Sequence, residues 1–142
     1  MKILIDADAC PVVDITLKYA RQTGTEVLLI CDTAHEMERE GAKTITVSKG
    51  ADSVDFKLVN LIKAGDLVIT QDYGLAAMAL AMRAVVLHQS GMRYTEDNID
   101  ALLFARHTAR KIRMSGGRLK GPAKRTKEQD ASFQEALCAL LS

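Results

Sequence analysis

The run Ile3-Leu4-Ile5 ends in two carboxylates, Asp6 and Asp8, with only Ala7 between them. Two such groups at the end of a buried strand repel unless something positive joins them. Other aspartates stand at comparable places. Asp32 follows the apolar run Val27–Cys31, and Asp72 follows Leu67–Thr70 through Gln71. Asp52 and Asp55 open the segment after Thr44–Val47 and, being three apart, share one helical face. An all-oxygen donor set suits a hard divalent cation, Mg²⁺ or Mn²⁺, which keeps waters for substrate phosphates. Such an ion activates water and polarises phosphoryl oxygens for in-line displacement. Each aspartate also has a plainer reading as a turn or cap residue. Asp6 resists that reading most, because it terminates what reads as the central strand.

Neighbouring residues extend the candidate list. Thr70, beside Asp72, carries a hydroxyl able to orient a ligand, although Thr is also a good strand residue. Ser90 and Gly91 follow a later apolar run and offer backbone amides to a phosphate. Cys10 precedes a helix start, where a thiolate is favoured, but no adjacent His serves it as a base; a buried or idle thiol is expected. His35, His88 and His107 lack ligand spacing and receive no role.

Charge is distributed unevenly. Residues 1–100 hold 10 Lys+Arg against 15 Asp+Glu, whereas residues 101–127 hold 9 Lys+Arg and no acid. Arg106, Arg110 and Arg113 recur at helical spacing, and Arg118, Lys120, Lys124 and Arg125 lie in or beside a Gly-rich loop. A basic stripe with a basic loop is the footprint expected for a phosphate backbone, RNA or DNA. The plainer alternative is a solvated face, or a contact between copies, that offsets an acidic body. Aromatic residues are only 4% of the chain, and without exposed aromatics for stacking, sequence-specific readout of single strands is not expected.

The elements that position these residues alternate. Short apolar strands at "KILID", "TEVLLIC", "AKTITVS", "DLVIT" and "AVVLH" are separated by helical patterns. Pro11 suits a first helical turn, Asp52 a helix N-cap, and Thr95 or Asn98 the start of a long helix to about Ser115. A last helix covers roughly 127–141. The expected fold is α/β, a three-layer α/β/α arrangement around a mostly parallel five-stranded sheet. Residues 1–115 form its body; 116–142 form a basic loop and C-terminal helix packed on or extending it. Ligands of such sheets bind beyond the carboxyl ends of the strands, which gathers Asp6, Asp8, Asp32, Asp52, Asp55 and Asp72 at one edge. Asp66 precedes its strand and lies about 20 Å from Asp72, at the opposite edge.

At 142 residues the chain is long enough for one domain with a real core. Its 48% hydrophobic content and balanced charge fit a globular protein. No run approaches the roughly 18 apolar residues of a membrane span, and the N-terminal run is too short for a signal peptide. Three cysteines without metal-ligand spacing fit reduced thiols, so a cytoplasmic location is expected.

Five blocks, "IDADACPV", "KGADSVD", "GDLVITQDYGLAAMAL", "GMRYTEDNID" and "RLKGPAKRTKEQD", together resemble the uncharacterised bacterial YaiI/YqxD family over essentially the whole chain. That family resembles PIN-like domains, metal-dependent nucleases whose parallel sheet presents a few acids at its carboxyl edge. The resemblance implies a PIN-like fold, with Asp6 ending strand one and Thr70 and Asp72 matching a "T-x-D" after strand four. It implies Asp55 as the acid on a later helix, with Asp52 second. The chain departs from the pattern by having Asp where PIN nucleases commonly have Glu, and by its "D-x-D" doublet and "CP".

The leading expectation is a Mg²⁺- or Mn²⁺-dependent nuclease. In it Asp6, Asp8 and Asp72 hold metal, Asp55 completes the catalytic set, and Thr70, Ser90 and the basic residues bind substrate. One alternative keeps the fold and drops the chemistry, leaving a nucleic-acid- or partner-binding protein. A weaker one resembles haloacid-dehalogenase-type phosphatases, with Asp6 as nucleophile and Asp8 as acid/base. Those enzymes usually carry Thr or Val where Cys10 stands, together with a cap insertion that this chain lacks.

Overall fold

A computed structural model describes residues 1–50, 53–117 and 124–142. The elements run β1 (Lys2–Asp6), α1 (Val13–Thr23), β2 (Glu26–Asp32), β3 (Lys43–Val47), α2 (Ser53–Leu61) and β4 (Leu67–Ile69). They continue with α3 (Tyr73–Ala81), β5 (Val85–Leu87), β6 (Arg93–Tyr94), α4 (Glu96–Met114) and α5 (Lys127–Leu141). The fold is α/β with a mostly parallel sheet, as the alternation of apolar runs requires. Its strand order is β3-β2-β1-β4-β5-β6. Among the described residues the sheet has six strands rather than five. The sixth has two residues, pairs antiparallel with β5, and is too short to leave any periodicity in the sequence.

β1 lies at the centre, parallel to β2 on one side and to β4 on the other, with Ile5 opposite both Leu29 and Ile69. Its side chains alternate between the faces. Ile3 and Ile5, with Leu29 and Ile69, meet Val13 and Leu17 of α1 and Phe133 and Leu137 of α5. Leu4, with Ile30 and Val68, meets Leu58 of α2, Leu75 of α3 and Ile99 of α4. Each such side chain, fully removed from water, contributes roughly 1.5–3 kcal/mol. Phe133 and Leu137 are wholly buried, so α5 completes one face of the core.

The helix ends follow local chemistry. Gly24 adopts a left-handed conformation (φ 66°) and caps α1, its N–H returning to Ala20 and Arg21 carbonyls. Asn98 Oδ1 accepts the Thr95 backbone N–H at 2.9 Å, the side-chain half of a capping box at the start of α4. Beyond Leu103, α4 leaves the core, and all of its residues except the half-buried Ala109 are exposed. Asp66 is buried at the opposite edge, bonded by the Lys2 side chain and by the Lys63 amide. Burial opposes its ionisation, but these donors outweigh it and hold the carboxyl below its usual range.

Candidate active site

From β1 the chain winds outward through β2 and β3, then crosses back to β4 on the other side. The crevice at that reversal is where open α/β sheets bind ligands. Here it is an open cleft of about 440 Å³, lined by Asp6, Asp8, Asp32, Asp55, Asp72 and Arg106 among others. Asp6 reaches it from the end of β1, and Asp72 from the turn after β4. Asp55 comes from the first turn of α2, and Arg106 from mid-α4.

A hydroxyl ties the two strand ends together. Thr70, 2% exposed, donates its Oγ1 hydrogen to Asp6 Oδ2 at 2.9 Å and accepts the Asp72 backbone N–H at 3.0 Å. The buried Tyr94 of β6 donates its hydroxyl to the Thr70 carbonyl at 3.3 Å, and burial raises the pKa of that phenol. Thr70 is therefore placed to hold carboxylates rather than to touch substrate. Asp72 is also the N-cap of α3. Its Oδ1 accepts from the Gly74 and Leu75 amides at 2.8 and 3.3 Å, and from Arg106 Nη1 at 3.3 Å.

Asp6 is the electrostatic centre of the cleft. Burial raises its carboxyl from 3.8 to about 6; the Thr70 bond opposes this, and the charges of Asp55, Asp8 and Asp72 add to it. Asp8 follows in a loop where Ala9 takes a positive φ of 55°, uncommon for a residue with a Cβ. Burial and the nearby Asp32 charge raise the Asp8 carboxyl as well. Its Oδ1 is buried without a hydrogen-bond donor, the His35 ring nitrogen standing 3.8 Å away.

Asp32 and His35 complete a second grouping. Asp32 Oδ1 accepts from the Ala34 amide at 2.9 Å and lies 2.8 Å from His35 Nδ1. That bond lowers the Asp32 carboxyl and raises the His35 imidazole. Among the described residues, Asp8, Asp32 and His35 are the set of three whose ligand atoms all lie within 4.8 Å of one another. His35 had no role by spacing, because it sits in a non-helical turn and meets Asp8 only through the fold. Asp6, Asp55 and Asp72 share the cleft without forming so close a cluster. The donors fit a divalent cation: carboxylate oxygens, one of them orphaned, at a site where burial first, and the neighbouring carboxylates after it, raise the Asp6 pKa to about 6.

The remaining candidates divide by position. Arg106, Arg110 and Arg113 share a face of α4; the last lies about 10 Å along the helix from the first. Arg110, Arg113 and Lys124 are exposed. Arg125 is engaged elsewhere, bonded through Nε to Asp130 and through Nη2 to the Gln89 carbonyl, each at 2.8 Å. The Ser90 amide donates to His88 Nδ1 and the Gly91 amide to the His88 carbonyl, so this loop closes on itself and leaves neither amide for a phosphate. Asp52, Arg118 and Lys120 lie outside the described residues. Cys10 is half-buried, and desolvation pushes its thiol up to about 11, which makes it an idle neutral thiol. Aromatic exposure differs from the expectation: Phe56 and Phe104 are each 71% exposed, although aromatics are few.

Residues 4–142 match a family model described as an uncharacterised YaiI/YqxD family. The chain is 54% identical over 142 residues to a UPF0178 protein of Exiguobacterium sibiricum, covering 100% of this chain and 97% of that one. It is 53% identical over 137 residues to a UPF0178 protein of Ruminiclostridium cellulolyticum, with 96% and 90% covered. A UPF0178 protein of Clostridium acetobutylicum is 48% identical over 143 residues, with 99% and 97% covered. No solved structure matches the chain.

Proposed function

The chain belongs to the uncharacterised YaiI/YqxD family, and we propose that it is a divalent-metal-dependent phosphodiesterase acting on nucleic acid. The observation that carries this reading is Asp6. It is a partly buried carboxyl at the central strand end, with its pKa raised among three other aspartates, in a cleft that one arginine enters from the side. A surface cluster of cap residues gives no reason for such a group.

Asp6, Asp8, Asp55 and Asp72 would hold Mg²⁺ or Mn²⁺, with Asp32 and His35 extending the donor set from Asp8. When bound, the ion supplies an activated water and a Lewis acid for the phosphoryl oxygens. The chain's own residues do the rest. Thr70 fixes the Asp6 carboxylate relative to Asp72. Arg106 uses one N–H on Asp72 and has further guanidinium donors for a phosphate. Arg110 and Arg113 continue a cationic track for the backbone along α4. The resemblance of Asp6, Asp55, Thr70 and Asp72 to the PIN-like pattern supports the same reading. The capping role of Asp72 favours a second one, in which the acids are structural and the protein only binds nucleic acid.

Calorimetric titration of Mn²⁺ into chelator-treated protein, beside an Asp6→Asn, Asp72→Asn double variant, tests the proposal. Asn caps a helix as well as Asp does, so the variant should fold. Binding by the wild type alone, with metal-dependent cleavage of labelled RNA or DNA, is the expected result. Nucleic-acid binding that survives chelator and Asp6→Asn, with no product formed, would assign the binding role instead.

A further inference from the structure

Beside the acidic cleft runs a second depression of about 600 Å³, between α2 and the α3–α4 pair. Asp55, Asp72 and Arg106 line both, so the two are continuous. The second is more apolar, walled by Phe56, Val59 and Met78, with Asn60 at its margin. α2 buries Val54 and Leu58 against the sheet, whereas Phe56 falls off that face and stands 71% exposed. Met78, on α3, is 43% exposed. Core packing explains neither. An exposed apolar patch continuous with a polar cleft marks a binding surface.

We propose that this groove receives an unpaired nucleobase stacked on Phe56, which makes a single strand the substrate class of the adjoining cleft. The inference rests on the nucleic-acid reading of that cleft. The chemistry matches on each side. A base presents a flat face to the Phe56 ring and the Met78 thioether. Its edge carries donors and acceptors that a side-chain amide such as Asn60 can meet. Its phosphate then lies towards Arg106 and the carboxylates, where a backbone contact and the reaction would both occur. Bases inside a duplex have their faces covered by neighbours, so paired strands cannot use the ring. A purely apolar peptide laid in the groove would strip water from Asp55, Asp72 and Arg106 for no matching gain.

The chain contains no tryptophan, so Phe56→Trp introduces a single fluorescent reporter at this position. The test titrates that full-length variant with a fluorescein-labelled single-stranded oligonucleotide and with its duplex. Ca²⁺ replaces Mg²⁺, gels check that the strands stay intact, and anisotropy follows binding in parallel. The expected result is saturable quenching of the tryptophan by the single strand and none by the duplex. Phe56→Ala should weaken single-strand binding by about 5- to 150-fold, the loss of one base–aromatic stack, with its melting temperature unchanged. A bound strand with unaltered emission, and Phe56→Ala binding as tightly as wild type, overturns the groove, even where metal-dependent cleavage upholds the nuclease. Quenching and Phe56 dependence without cleavage in Mg²⁺ or Mn²⁺ keep the groove and remove the nuclease. No binding of any strand removes both. Emission that shifts blue with protein concentration and ignores oligonucleotide assigns the groove to a second copy of the chain, and overturns the proposal.

Discussion

Thr70 couples Asp6 to Asp72 through one hydroxyl, which donates to the first carboxylate and accepts from the amide of the second. Thr70 and Asp6 are 64 residues apart in the chain and adjacent in the sheet, because Ile5 pairs with Ile69. Thr70→Val keeps the shape and removes both bonds, leaving Asp6 more reluctant to ionise. The expected loss is roughly 1–3 kcal/mol of stability, with a weaker Mn²⁺ Kd. Thr70→Ser should restore both. An unchanged Kd in the valine variant would remove Thr70 from the site.

Asp6 makes stability depend on pH in a defined direction. Its folded carboxyl titrates near 6 against an ordinary 3.8, so the folded state holds the proton more tightly than the unfolded state does. The Asp6 contribution to stability is therefore most favourable below about pH 4, falls as pH rises through about 6, and stays lower above it, by on the order of 3 kcal/mol. Asp6→Asn is neutral throughout. In metal-free buffer it should need more urea than wild type to unfold at about pH 8, and a similar amount at about pH 4. Equal midpoints at the higher pH would contradict the strained carboxylate.

Arg106 reaches Asp72 from an exposed helix face, and such a pair contributes at most about 1 kcal/mol to folding. Arg106→Ala should leave the urea midpoint almost unchanged. In oligonucleotide binding it should reduce the slope of log K against log salt by about one. Arg110→Ala and Arg113→Ala should act in the same direction. Salt slopes identical to wild type in all three would place the backbone elsewhere.

His35 adds a nitrogen to a set of oxygen donors, and imidazole suits Mn²⁺ better than Mg²⁺. Wild type is thus expected to bind Mn²⁺ more tightly than Mg²⁺, and His35→Ala to weaken Mn²⁺ by about tenfold or more while changing Mg²⁺ little. Equal Mn²⁺ affinities in wild type and His35→Ala would confine the ion to the Asp6 side of the cleft.

Gly91 closes the turn between β5 and β6 at φ 92°, where an added Cβ would stand 2.6 Å from the Ser132 carbonyl oxygen of α5. Gly91→Ala combines an unfavourable backbone angle with a backbone clash, an expected cost of roughly 2–4 kcal/mol. Calorimetry should show a single transition at lower temperature. An unshifted transition would mean that α5 is not held against this turn.

How far the site was legible depended on which residues act through sequence position and which through folding. A carboxylate ending an apolar run is visible in one dimension, so Asp6 and Asp72 could be assigned to the carboxyl edge, and Asp66 to the other. The parallel sheet followed from the same runs. Two-residue β6 has no period to detect, and the Tyr94 that anchors Thr70 was lost with it. His35 meets Asp8 only because β1 and β2 lie side by side. Phe56 lies off the face that Val54 and Leu58 bury, and only the packing of α2 shows that its ring faces a groove. Arg125 looked identical to its basic neighbours, yet it is committed to Asp130 and Gln89. Charge type is written in the sequence; the partner of each charge is decided by the fold.

Phe133 and Leu137 shield one face of a sheet whose first strand begins at Lys2. During synthesis the ribosome releases β1, β4 and β5 well before α5 emerges, so Ile5, Ile69 and Leu87 wait with part of their cover missing. The nascent chain is most prone to sticking in that interval, when exposed apolar strands invite association with other chains. Closure of the core is a late event, set by the last helix rather than by the strands that carry the carboxylates.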